Sequence, residues 1–309
     1  MSETESEKKK ELTPAATPSS VGIMKDRSVA ACLSGAFELY CSNFATIFRH
    51  SWLPSLVLSV LSAASTLLVD NQLPIAVAAA LAVCSLLGVI FVGAWYDASY
   101  VILFNGMERR ETIKRALCAR LVSVAYAFAA IAVGAIAATA VYFIAIGKGS
   151  QKAAVSFATT AMAPTIALVI IVVLCAAVPL VYSITSYLVN PATTLRAMLT
   201  SLYKRGWRNW GYLFGVTALT ALVLAVVVAV LAAPSLVLSA ALGINHAGMA
   251  LGDPDALPSY FMPLFCATSV VVRFVFCYAA IWAFLTALHA YGAIECRTEE
   301  RAKRKTINN

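Results

Sequence analysis

At 309 residues, with 61% hydrophobic and only 12% charged side chains and a mean hydropathy of +0.82, the chain lies outside the composition of soluble domains, where charged residues run at about 25%. The net charge of +8 is spread over segments flanking apolar stretches, which points to membrane orientation and attraction to anionic lipid rather than to nucleic acid. Eight cysteines are scattered singly without a CxxC pair, which argues against a zinc site or a disulfide framework.

In chain order, residues 1–27 are polar, rich in Ser, Thr, Glu, Lys and Pro, and have almost nothing to bury, so a disordered cytoplasmic tail is expected. No apolar stretch or small-residue cleavage site follows its charges, as a signal peptide would require. Leu33, Phe37, Tyr40, Phe44 and Ile47 then recur at spacings of four and three, which predicts an amphipathic helix running into Trp52. Six apolar stretches follow, at 52–69, 73–95, 121–146, 161–188, 210–233 and 261–289, each near the ~20 residues that a bilayer core demands. Asp70-Asn71-Gln72 makes the first pair a tight hairpin.

Two further amphipathic segments are predicted. Ile113, Ala116 and Leu117 oppose Arg110, Lys114 and Arg115 before the third stretch. Leu195, Met198, Leu202 and Trp207 oppose Arg196, Lys204, Arg205 and Arg208 before the fifth, with Thr193 or Thr194 as a cap. Such helices lie in the membrane interface with their basic residues among lipid head groups, so Lys114, Arg115, Arg196, Lys204, Arg205 and Arg208 are expected there. Residues 147–160 and 245–260 are expected as outer loops, and Pro234 should end or kink the fifth helix. The chain then parses as three units, each an interfacial helix followed by a transmembrane hairpin.

The basic residues set the orientation. Twenty of the 23 Lys and Arg fall in the N-terminal region, between the second and third stretches, between the fourth and fifth, and in the tail 295–309. Lys148 and Lys152 lie in an outer loop, and Arg273 alone lies inside an apolar stretch. By the positive-inside bias, 28–294 is a six-span domain of the inner membrane with both termini cytoplasmic, its partners being anionic head groups on that side.

Arg273 is the leading candidate for function. It lies twelve residues into the last stretch, ~18 Å from Phe261, where a charge is costly and implies an anion site. The plainer reading starts the span near Cys266 and lets Arg273 snorkel outward or pair with Asp70, Asp253 or Asp255. Tyr126, Tyr182 and Tyr278 are expected to face a cavity at Arg273. Asp97 would suit a proton relay, but its distance from Leu73, ~36 Å along the helix, places it at the interface beside Arg109 or Arg110. His50, His246 and His289 fall on both sides of the membrane and cannot share one metal. No HExxH, GxSxG or glycine-rich phosphate loop is present, so neither a cofactor nor a catalytic constellation is expected.

The opening segment, with spaced aromatics, Asn43-Phe44 and then Arg49-His50-Ser51-Trp52-Leu53-Pro54 entering the membrane, resembles a broad group of uncharacterised bacterial six-span inner-membrane proteins. These are similar in layout to the membrane domain found beside some glycerophosphodiester phosphodiesterases. The likeness covers most of the chain and implies the six-span fold, but no phosphodiesterase barrel is present to carry that activity. Two functional readings follow. One is a permease-like or lipid-handling protein with a polar cavity at Arg273. The other is a non-transporting scaffold or partner of an envelope complex, with a dry bundle in which Arg273 is paired or outward.

Overall fold

The computed structural model describes residues 24–69, 75–146, 151–252 and 257–307. Six long helices dominate it: α1 (Val29–Val69), α2 (Ile75–Asn105), α3 (Arg109–Ile146), α4 (Gln151–Val189), α5 (Trp210–Ala250) and α6 (Phe261–Ile307). A separate helical connector, residues 195–208, joins α4 to α5 and widens to a π turn at Met198–Leu202. Among the described residues there is no strand. All six helices are long and apolar enough to cross a membrane, the architecture of a multi-pass helical bundle. Ala, Val, Leu and Ile occupy nearly every face of α2 and α5, as suits helices surrounded by lipid that satisfy their own backbone groups.

Side-chain contacts gather the start of α1, the start of α3, the connector and the last turns of α6 at one end, the basic end. There Arg297 reaches Asp26 Oδ1 at 2.6 Å and donates to the Arg27 carbonyl, and Arg205 reaches Glu295 at 3.1 Å. Around the bundle, α1 packs most extensively on α6 and α2, α3 on α4 and α2, and α5 on α6. The core lies toward the basic end and includes Ile47, Val101, Tyr182, Leu213, Ile281 and Leu288. Toward the opposite end Ile136, Phe143, Val230 and Ile244 remain exposed, an apolar surface of the kind a bilayer covers.

Several sequence expectations change. The lead-in to the first span is not a separate interfacial helix, because α1 runs without interruption from Val29 to Val69. Its buried face carries Cys32, Ala36, Ile47 and Ser51, while Phe37 and Phe44 of the expected stripe are exposed. The lead-in at Ile113 is likewise continuous with α3. Only the connector is separate, and the expected cap is Thr194, whose side chain accepts from the Ala197 N–H. α5 continues through Pro234 to Ala250, so the helix does not end there and the first part of the expected outer loop is helical. Proline removes one ladder bond, and nonpolar helices in lipid tolerate that loss. α4 begins at Gln151, within the other expected outer loop, and the basic tail continues α6 as helix to Ile307. The expected tail up to residue 23, the hairpin turn 70–72, Lys148, Asp253 and Asp255 lie outside the described residues.

The α1–α6 contact rests on small residues. Ser51, Ser55, Ser59 and Ala63 recur every fourth position on α1 and are all buried. Small side chains at that spacing form one shallow strip and let two backbones approach closely. Ser59 Oγ lies 4.0 Å from Cys277 Sγ on α6.

Candidate polar cavity between α1, α2, α3 and α6

A cavity of about 390 Å³ opens between these four helices, and its polar wall carries Ser59, Ser62, Tyr96, Asp97, Tyr100, Arg120, Arg273 and Cys277. Tyr96, Asp97 and Tyr100 share one side of α2 because positions three and four apart fall on the same helical face. Arg120 comes from the fourth turn of α3 and Arg273 from the first half of α6.

Asp97 is the hub of the cavity. Its Oδ2 lies 2.7 Å from Arg120 Nη2, and its Oδ1 accepts from Tyr100 Oη at 3.0 Å. Arg120 lies along α2 because residue 93 is glycine: a Cβ there would stand 3.1–3.3 Å from the guanidinium. The same guanidinium donates to the Gly93 carbonyl at 3.4 Å. Tyr96 Oη donates to the Cys277 carbonyl on α6, and Tyr100 packs edge-on against Phe284. Asp97 is eight residues from the basic-end terminus of α2, ~12 Å, whereas Arg273 is ~18 Å from the opposite terminus of α6. The cavity therefore joins groups delivered from both ends. Its described lining holds two guanidiniums and one carboxylate, a net positive charge in a confined volume.

Of the residues expected to gather at Arg273, none of the three tyrosines lines this cavity. Tyr278 packs among Phe44, Phe48 and Phe274, with ring centroids 6.1, 5.6 and 5.3 Å away. Tyr126 Oη donates to the Val173 carbonyl and ties α3 to α4. Tyr182 Oη donates to Glu295, whose other oxygen pairs with Arg205. Tyr96 and Tyr100 occupy the cavity instead. Asp97, expected to pair with Arg109 or Arg110 at the interface, pairs with Arg120 between helices. The signal available in the sequence was the spacing of Tyr96, Asp97 and Tyr100, together with the depth of Arg120 within its own helix.

The expected head-group contacts divide in the same way. Lys114, Arg196, Lys204 and Arg208 are exposed. Arg115 is turned inward and donates to the carbonyls of Tyr187, Asn190 and Pro191 at 3.0, 3.0 and 2.6 Å, while also meeting Glu111 at 3.2 Å. These carbonyls lie where α4 ends before Pro191, so a fixed cation meets acceptors that the helix cannot satisfy. Arg205 is held by Glu295. Among the described residues, no three His, Cys, Asp or Glu side chains are grouped to hold a metal ion. Searches of protein-family models, curated proteins and solved structures find nothing that matches the chain.

Proposed function

We propose that this is a permease-like or lipid-handling protein of the inner membrane, which accepts an anionic group in the cavity beside Arg273. Its termini are cytoplasmic, and the basic end faces anionic lipid. The observation that carries this reading is that Arg273 shares a polar cavity with the Asp97–Arg120 pair. A scaffold has no use for a cavity with this lining, because charges cost several kcal/mol to hold away from water. In a binding site the same lining has a purpose. Asp97 acts as a resident anion for Arg120, and an incoming anion is attracted by Arg273 while competing with Asp97 for the second guanidinium. Confinement strengthens both interactions.

Thermal unfolding of the purified protein in neutral detergent, titrated with sulfate, phosphate and small carboxylates, tests this directly. At least one anion should raise the midpoint of the wild type, and Arg273→Gln should abolish that response. Asp97→Asn removes the internal competitor and should tighten the response by about tenfold, or ~1.4 kcal/mol. If no anion stabilises the wild type and Arg273→Leu raises the folded yield, the charge is only a burden and the scaffold reading replaces this one.

A further inference from the structure

A second cavity, of about 500 Å³, lies between α1, α2 and α3, on a different face of α2 from the Arg273 site and at the edge of the core. Its walls bring together Arg49 and His50 from α1, Trp95 and Ser99 from α2, and Arg109 and Ile113 from α3. No carboxylate lines it, and among the described residues no ion pair holds Arg49 or Arg109. Of the acids flanking Arg109, Glu111 is engaged by Arg115, and Glu108 does not line the cavity. His50 Nδ1 is 2.9 Å from the Thr46 carbonyl, an acceptor, so this nitrogen donates and Nε2, with its lone pair, can accept from a headgroup hydroxyl. Arg109 is also the first residue of α3, where the helix start adds partial positive charge.

We infer that this cavity binds the phosphate group of an anionic phospholipid. Guanidinium forks match phosphate oxygens, and the two of them provide charge with no internal competitor. The remaining walls, Trp95, Ile102, Leu103 and Ile113, are apolar and suit a glycerol backbone and the first methylenes of its chains better than a hydrated ion. Directly along α1 from His50, the side chains of Trp52, Leu53 and Leu56 are exposed, so an apolar surface for acyl chains begins beside the cavity. This assignment is independent of the anion site at Arg273.

Native mass spectrometry and thermal unfolding in neutral detergent, with phosphatidylglycerol, phosphatidylcholine, glycerol 3-phosphate or inorganic phosphate added separately, test it. The wild type should retain phosphatidylglycerol and gain stability from it, with little response to phosphatidylcholine. Arg49→Gln/Arg109→Gln, which changes two exposed side chains, should weaken the phosphatidylglycerol response about tenfold. Arg49→Lys/Arg109→Lys should keep part of it, and Arg273→Gln all of it. Equal responses to the two lipids, or an undiminished response in the double Gln variant, would overturn the site. Stabilisation by inorganic phosphate with no further gain from phosphatidylglycerol would overturn the lipid assignment.

Discussion

Arg115 and Arg120 sit five residues apart on α3 and meet different neighbours, because a helix turns them to different faces. Arg120 reaches across to α2 and completes the polar cavity. Arg115 closes the end of α4, and its guanidinium also lies over the Tyr187 ring at 5.1 Å. Hydrogen bonds to a charged group contribute about 1.5–3 kcal/mol each, partly offset by the cost of burying the charge. Arg115→Met keeps the stem but leaves the Tyr187 and Pro191 carbonyls without this donor, while Thr193 still donates to the Asn190 carbonyl, and a loss of about 3 kcal/mol is expected on balance. Arg115→Lys should recover less than half of it, because an ammonium cannot present a planar fork to three acceptors at once. Unfolding in detergent, monitored by circular dichroism, would report both. A stability within about 0.5 kcal/mol of wild type for Arg115→Met would show that the carbonyls find other donors.

At the scale of elements, Pro179 explains how the connector is held. Proline has no N–H, so the Cys175 carbonyl four residues earlier loses its ladder partner. Trp210 Nε1 donates to that carbonyl at 3.1 Å, and Tyr203 Oη donates to the adjacent Ala176 carbonyl at 3.1 Å. Gly206 permits the approach, since a Cβ there would lie 3.0 Å from Pro179 Cα, Cβ and O. The break in one helix thus becomes the docking point for another. Trp210→Phe should cost about 1–3 kcal/mol through the orphaned carbonyl, whereas Pro179→Ala in the same background should restore much of it by returning the ladder bond. An additive rather than compensating double variant would detach the proline from this role. Helix number and approximate span were legible in the sequence, because apolar runs near 20 residues announce themselves. The continuity of α1 and the passage through Pro234 were not, since capping and proline signals act locally while a long helix in lipid is sustained by its whole ladder. The cavity was half legible. Arg273 stood out as a lone charge, but Asp97 and Arg120 were masked by their closeness to loops, and only the fold turns them toward each other.

For the whole molecule, the basic residues serve two purposes that charge counting alone merges. Arg115, Arg120, Arg205 and Arg297 are engaged by carbonyls or carboxylates between elements, whereas Lys114, Arg196, Lys204 and Arg208 are exposed at the same end. Exposed cations such as these, Arg49 and Arg109 among them, are available to the membrane surface, where each contributes about 1 kcal/mol of attraction to anionic lipid. Even without the engaged arginines, the bias remains on the side that holds the connector, the start of α3 and the end of α6, which supports cytoplasmic termini. Two single-cysteine positions in a cysteine-free background distinguish the orientations. Thr306, exposed near the end of α6, and Leu251, 87% exposed at the far end of α5, lie at opposite ends of the bundle. With a membrane-impermeant maleimide, Leu251→Cys should label while the membrane that holds the protein is intact, whereas Thr306→Cys should label only after that membrane is opened. The reverse pattern would invert the protein and move the Arg49–Arg109 cavity to the outer leaflet. Labelling of both positions before opening would mean that the two ends are not separated by a membrane at all.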